Sequence, residues 1–152
     1  MASYYSTRTA YNSFLVNTVP VSDDYAVSIM QTGTMFLIDA SVADSPLTTL
    51  DISLPSPDHA GMYYKFVFVA ESARVVNIQM QDVSDGIVGL VIQHVDSGNH
   101  DVDVAAAGTS DRMQFSIGQK PGSWIELVST GTQWVVHGHH HGATHLYAND
   151  GP

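Results

Sequence analysis

A chain of 152 residues with 44% hydrophobic content can bury one sizeable core and is expected to form a single globular domain. Fifteen acidic side chains against five basic ones leave a net charge of −10. A surface that negative repels phosphate instead of releasing counterions from it, which argues against DNA or RNA as a partner. The absence of cysteine excludes disulfides and thiolate metal sites, so burial or association must hold the fold.

The opening residues Met1-Ala-Ser-Tyr-Tyr-Ser-Thr-Arg8 lack the apolar core of a secretion signal. No stretch approaches the ~20 uninterrupted apolar residues of a membrane-spanning helix. A soluble, unsecreted chain with no membrane partner is expected. Residues 1–33 mix Tyr4, Tyr5, Tyr11, Phe14 and Leu15 with Ser, Thr and Asn and show no turn rhythm. They read as an N-terminal arm whose aromatic residues offer stiff contact area to a partner. The competing reading is edge strands, with Val27-Ser-Ile-Met30 and Thr34-Met-Phe-Leu-Ile38 as neighbours. Tyr4, Tyr5, Tyr11 and Phe14 are the candidate interface residues.

From residue 34 the strand signals recur. Leu50, Ile52 and Leu54 alternate with Thr49, Asp51 and Ser53, until Pro55-Ser-Pro57 removes backbone donors. After Asp58-His-Ala-Gly61, the run Met62 to Val69 sets Tyr64, Phe66 and Phe68 on one face and Tyr63, Lys65 and Val67 on the other. Val76–Met80, Ile87–Ile92, His100–Val104 and Met113–Ile117 follow, each short and bounded by turn formers. The segment Trp124 to Val136 reads as a hairpin closed at Ser129-Thr-Gly131, with Gly131 supplying positive φ and Ile125 and Leu127 alternating with Trp124, Glu126 and Val128. No window carries a helical apolar stripe. The expectation is an all-β, antiparallel β-sandwich or jelly-roll-like domain over 34–137, with a His/Gly-rich C-terminal tail over 138–152.

Leu50-Asp-Ile-Ser-Leu-Pro-Ser-Pro57, Gly61-Met-Tyr-Tyr-Lys-Phe-Val-Phe68 and the Trp124 to Val136 hairpin together resemble the β-sandwich domains of tailed-bacteriophage head decoration and fibre proteins. The resemblance spans roughly residues 38 to 137. It implies a virion protein of the capsid decoration (cement) type. Such a protein is made in the bacterial host cytoplasm, is often trimeric, and binds the major capsid protein on the outer shell across capsomer junctions. It stabilises the shell by binding the assembled state and not the separated subunits. A receptor-binding tail fibre or spike tip is the alternative, and a lectin-like sandwich is a third reading.

Five histidines lie between His137 and His145, in His137-Gly-His-His-His-Gly142 and at His145 itself. Alternate residues of an extended chain share a face, which makes His137, His139 and His141 candidate transition-metal ligands, multiplied about a threefold axis in a trimer. Against that stands a solvated tail with no ligand role and no cofactor. Asp101 and Asp103, near Asp96 and Asn99, lack the spacing of a calcium loop and are expected to face solvent while Val102 and Val104 turn inward. Catalysis is not expected. Glu71 and Glu126 are the only glutamates, Gly122-Ser-Trp124 lacks the nucleophile-elbow pattern, and the histidines do not neighbour a candidate nucleophile.

Overall fold

Side chains on an extended backbone alternate between its two faces, and this alternation defines most of the strands here. The computed structural model describes residues 17–42, 49–80, 86–94, 100–142 and 147–149, with the backbone alone for 94, 100–110 and 147–149. These residues contain β1 (Thr18–Val21), β2 (Tyr25–Ala26), β3 (Thr34–Ile38), β4 (Thr49–Leu54), β5 (Tyr63–Phe68) and β6 (Val75–Met80). They continue with β7 (Gly86–His94), β8 (His100–Ser110), β9 (Arg112–Phe115), β10 (Trp124–Ser129), β11 (Gln133–His141) and β12 (Tyr147–Asn149). A single 3-10 turn, Ile29–Gln31, is the only helical element among the described residues. The fold is all-β.

The strands form a seven-stranded sheet in the order β1-β3-β5-β10-β11-β7-β8 and a five-stranded sheet in the order β12-β9-β6-β4-β2. Pairing is mixed, which corrects the antiparallel expectation. β1, β3 and β5 run parallel, and so do β2, β4 and β6. The chain alternates between the sheets from β1 to β6, and that route explains the direction. A parallel neighbour cannot be reached through a tight turn, so each return passes through the opposite sheet. β11 and β7 are also parallel, whereas β10 pairs antiparallel with both β5 and β11.

The inward positions follow the sequence pattern closely. Leu50, Ile52 and Leu54, and Tyr64, Phe66 and Phe68, are buried in one hydrophobic core with Phe36, Ile78, Phe115, Ile125, Leu127 and Trp134. Rings from the two sheets meet there: Tyr25 lies 5.7 Å from Phe36, and Phe68 lies 5.3 Å from Phe115. Fully buried Trp134 packs 5.4 Å from Tyr64 and donates its indole N–H to the Pro55 carbonyl at 3.2 Å. That bond satisfies a donor that would otherwise be stranded in the core. The hairpin closes at its expected place, with Ser129 opposite Trp134 and Gly131 at φ 98°.

At the N-terminal side, β1 is an edge strand of the larger sheet and β2 an edge strand of the smaller. Val27–Met30 does not form the expected strand. Ser28 and Gln31 make a reciprocal capping box, the Ser28 N–H donating to Gln31 Oε1 at 2.8 Å, which turns the chain into the 3-10 element. Tyr4, Tyr5, Tyr11 and Phe14 lie outside the described residues.

The His-rich tail is the largest correction. His137 to His141 belong to β11, which sits between β10 and β7 in the seven-stranded sheet. The end of the strand is held on both backbone groups: His141 N–H donates to Ser123 Oγ at 2.9 Å, and its carbonyl accepts from Lys120 N–H at 2.8 Å. Residues 147–149, also assigned to the tail, pair with β9 in the other sheet.

Candidate functional site

The two sheets turn different chemistry outward. On the five-stranded sheet, Asp51, Asn77 and Gln114 stand in register on β4, β6 and β9. Asn77 donates to Asp51 Oδ1 at 2.7 Å, and Gln114 donates to Asn77 Oδ1 at 3.0 Å. This polar ladder satisfies its own groups and offers little apolar area.

On the seven-stranded sheet the outward rows are largely apolar. One row runs Tyr63, Val128, Val135, Val88 across β5, β10, β11 and β7. Another runs Leu37, Val67, Trp124, His139, Ile92 across β3, β5, β10, β11 and β7. Leu90, Ile92, Val128 and Val135 keep 45%, 40%, 39% and 39% of their surface in contact with solvent. β-branched and aromatic residues are ordinary strand formers, but four half-exposed aliphatics together on one sheet face form a patch of the kind that marks contact sites.

Between these rows runs a charged one, Lys65, Glu126, His137, on β5, β10 and β11. Lys65 Nζ lies 2.8 Å from Glu126 Oε1, and His137 Nε2 lies 3.3 Å from Glu126 Oε2. The two carboxylate oxygens thus take separate partners. Lys65 Nζ also sits 4.5 Å from the centre of the Trp124 ring, and His137 meets that ring edge-on at 5.4 Å. Trp124 is therefore flanked by two groups that fix its orientation. Burial pushes the Glu126 carboxyl up, but hydrogen bonds from Lys65 and Tyr63, with the charges of Lys65 and His137, outweigh it and hold the group below the usual carboxylate value. Tyr63 shows the reverse effect: burial, its hydrogen bond to Glu126 and the nearby negative charge push its hydroxyl up to about 12. A carboxylate held ionised by a lysine is a poor proton donor, so this cluster orders a surface and does not suit general-acid chemistry. The other glutamate, Glu71, pairs with Lys120 at 2.6 Å on an exposed loop.

The three candidate metal ligands lie on β11 at alternate positions of the outward face, but in different settings. His137 is engaged by Glu126 and Trp124, with 62% of its side chain exposed, while His139 and His141 are half-buried. His140, between them, is fully buried, its Nδ1 3.2 Å from Gln119 Oε1 and its ring edge-on to Phe115 at 6.2 Å. Gln119 Nε2 donates to the Ser116 carbonyl at 3.3 Å, which leaves its oxygen for His140 and assigns Nδ1 as the imidazole donor. Among the residues whose side chains are described, no three His, Asp or Glu groups converge on a point that would hold a metal ion. On the backbone, Val102 and Val104 of β8 pair with Ile92 and Leu90 of β7, and Asp101 and Asp103 pair with Gln93 and Val91; which way the side chains of 101–104 face lies outside the described residues.

Sequence reasoning singled out the histidines and missed the Tyr63, Lys65, Trp124, Glu126 cluster. The signal was present, since Tyr63 and Lys65 fall on the face of β5 opposite its buried aromatics, and Trp124 and Glu126 do the same on β10. Only the register brings them together. No family model matches this chain, and no curated protein matches it either.

Proposed function

We propose that this chain is a non-catalytic structural protein of a phage particle, a homotrimeric decoration protein that binds the major capsid protein on the outer shell across capsomer junctions. The observation that supports an adhesive role is the contrast between the sheet faces. One carries the hydrogen-bonded ladder of Asp51, Asn77 and Gln114; the other exposes Leu90, Ile92, Val128 and Val135 on the same face as a pre-ordered Trp124. A rigid aromatic anchor beside a satisfied ion pair, with half-exposed aliphatic residues on the same face, is the composition of a binding hot spot. The virion setting comes from the strand phrases Leu50 to Pro57, Gly61 to Phe68 and Trp124 to Val136, which resemble phage structural domains. The net charge of −10 suits the outside of a shell better than a DNA-filled interior.

The test is quantitative mass spectrometry of purified particles, paired with rebinding of the purified chain to particles that lack it. A decoration protein is present in numbers comparable with the major capsid protein and rebinds; Leu90→Lys, which charges the apolar face at an exposed position, weakens rebinding at least tenfold while circular dichroism is unchanged. Absence of the chain from particles would refute the assignment. A receptor-binding tip is the second reading, favoured by the outward aromatic pair Tyr63 and Trp124, which could stack sugar rings. It predicts few copies, confined to the tail, and binding to host surface polysaccharide.

A further inference from the structure

A turn normally carries polar residues or glycine at its tip, and the turn between β2 and β3 does not. Its 3-10 element presents Ile29 and Met30, with 48% and 85% of their surface exposed. The turn is nonetheless firmly built. Besides the reciprocal bonds of Ser28 and Gln31, Gln31 Nε2 donates to the Tyr25 hydroxyl at 2.6 Å, and the hydroxyl of core residue Tyr64 donates to the Ser28 carbonyl at 3.2 Å. Beyond the tip, the Tyr63 N–H donates to Thr32 Oγ1 at 3.0 Å, and the Tyr63 carbonyl accepts from Gly33 N–H at 2.7 Å. Tyr63 begins the outward row that continues through Val128, Val135 and Val88, so the turn adjoins the apolar face. In a chain of net charge −10, no acidic, basic or histidine residue lies between Tyr25 and Ile38.

We propose that Ile29 and Met30 are an anchor that inserts into an apolar recess of the major capsid protein, and that Met30 is an oxidation site that switches the anchor off. The anchor rests on the decoration reading and extends its contact from the sheet face to this tip. A backbone already held in place loses little freedom on binding, which makes a pre-ordered apolar pair an efficient anchor. Methionine is unbranched and polarisable, so it fits an irregular recess. A lipid surface is the weaker candidate, since even a whole myristoyl chain attaches a protein only marginally and two side chains bury less. On a shell, by contrast, weak contacts add, and an uncharged tip lets an acidic chain approach with the least repulsion. Oxidation moves one oxygen atom from hydrogen peroxide to the Met30 thioether: the O–O bond breaks, an S–O bond forms, sulfur gives up two electrons and water leaves. The sulfoxide is polar, and its oxygen would be stranded in an apolar recess. Met62, Met80 and Met113 are buried and Met35 is half-buried, which leaves Met30 as the open thioether among the described residues.

The test treats the purified full-length chain with dilute hydrogen peroxide, locates the added oxygen by peptide mass spectrometry, and measures rebinding to particles that lack the chain. Oxygen should enter at Met30 ahead of Met35, Met62, Met80 and Met113, with circular dichroism unchanged. The oxidised chain and Met30→Gln should each rebind at least about tenfold more weakly, the loss expected of an anchor residue. Met30→Leu should rebind like the unaltered chain and keep that affinity after peroxide. Full rebinding by Met30→Gln would overturn the anchor and leave the decoration reading standing. An unaltered chain that binds no particle would instead refute that reading, and the anchor's partner with it. Oxidation of the buried methionines ahead of Met30 would overturn the modification site. Met30-dependent binding to neutral phosphatidylcholine vesicles would overturn the protein partner in favour of a lipid surface.

Discussion

Gly138 decides between a strand and a solvated tail, because replacing it with alanine has opposite signs in the two cases. Gly138 occupies an inward position of β11, opposite Ile125 of β10. A Cβ built there would press on the Trp124 carbonyl oxygen and lie 2.7 Å from Ile125 Cα and 2.8 Å from Ile125 Cγ2. Two of these three contacts are backbone of the neighbouring strand, which cannot rotate away as a side chain can. Relief requires β10 and β11 to separate in the middle of the sheet. Overpacking of this kind costs about 1–3 kcal/mol, with backbone contacts toward the upper end. At roughly 2–4 °C per kcal/mol for a chain of this size, the melting temperature should fall by about 6–12 °C for a 3 kcal/mol loss. In a solvated tail the same substitution would be neutral or would stabilise by up to ~1 kcal/mol through the unfolded state. Urea unfolding of Gly138→Ala by tryptophan fluorescence, with a parallel thermal melt, gives the answer. An unchanged or raised midpoint in both would refute the packing argument and return residues 137–141 to a tail.

Acid should act on the outer face through Glu126. Its folded-state carboxyl is held below the ordinary 4.5, so its stabilising contribution is complete above that value and is lost as pH falls through the depressed one. Glu126→Gln should flatten the fall in stability between pH 5 and 3; identical slopes in the two proteins would refute this. Tyr63 behaves in the opposite sense at the alkaline end. Its folded value of about 12 exceeds the ordinary 10, so its contribution is present below pH 10 and lost as pH rises toward 12. Ultraviolet titration should show Tyr63 ionising late, as does Tyr64, whose hydroxyl burial also pushes up, and Tyr63→Phe should remove one late-ionising tyrosine and leave the other. Trp134→Ala should cost about 3–5 kcal/mol, since it empties a fully buried ring site and leaves the Pro55 carbonyl without its donor; a loss below 1 kcal/mol by urea unfolding would contradict the burial.

The strands were legible wherever one face is buried. Leu50, Ile52 and Leu54, and Tyr64, Phe66 and Phe68, show the full period of two, and Trp134 and Val136 continue it. Direction was not legible, because a half-buried strand has the same alternation whether its neighbour runs parallel or antiparallel. The excursion of the chain from sheet to sheet between β1 and β6 leaves no mark in the turn residues. The histidine segment was misread because its inward positions are Gly138, His140 and Gly142 in place of aliphatics. The phase set by Trp134 and Val136 carries on unbroken, and glycine at an inward strand position is a sign of close backbone approach. The outer cluster was hidden for another reason: Lys65, Glu126 and His137 come from three strands, and nothing in the order of residues states which strands are neighbours.

The position of β10, wedged between β5 and β11, bears on how the molecule assembles itself. Every pairing made by β1 to β6 among themselves skips a strand, so the described strands of the first half of the chain close no hairpin among themselves. Local nuclei become available only with the β7 to β8 and β10 to β11 connections, and β5 gains its second neighbour only when the latter docks. Such distant pairings place folding in the slow range of milliseconds to seconds. During synthesis, β5 would wait with one flank uncovered until residues beyond 124 had emerged, an interval in which its Tyr64, Phe66 and Phe68 are most open to aggregation or to chaperone capture.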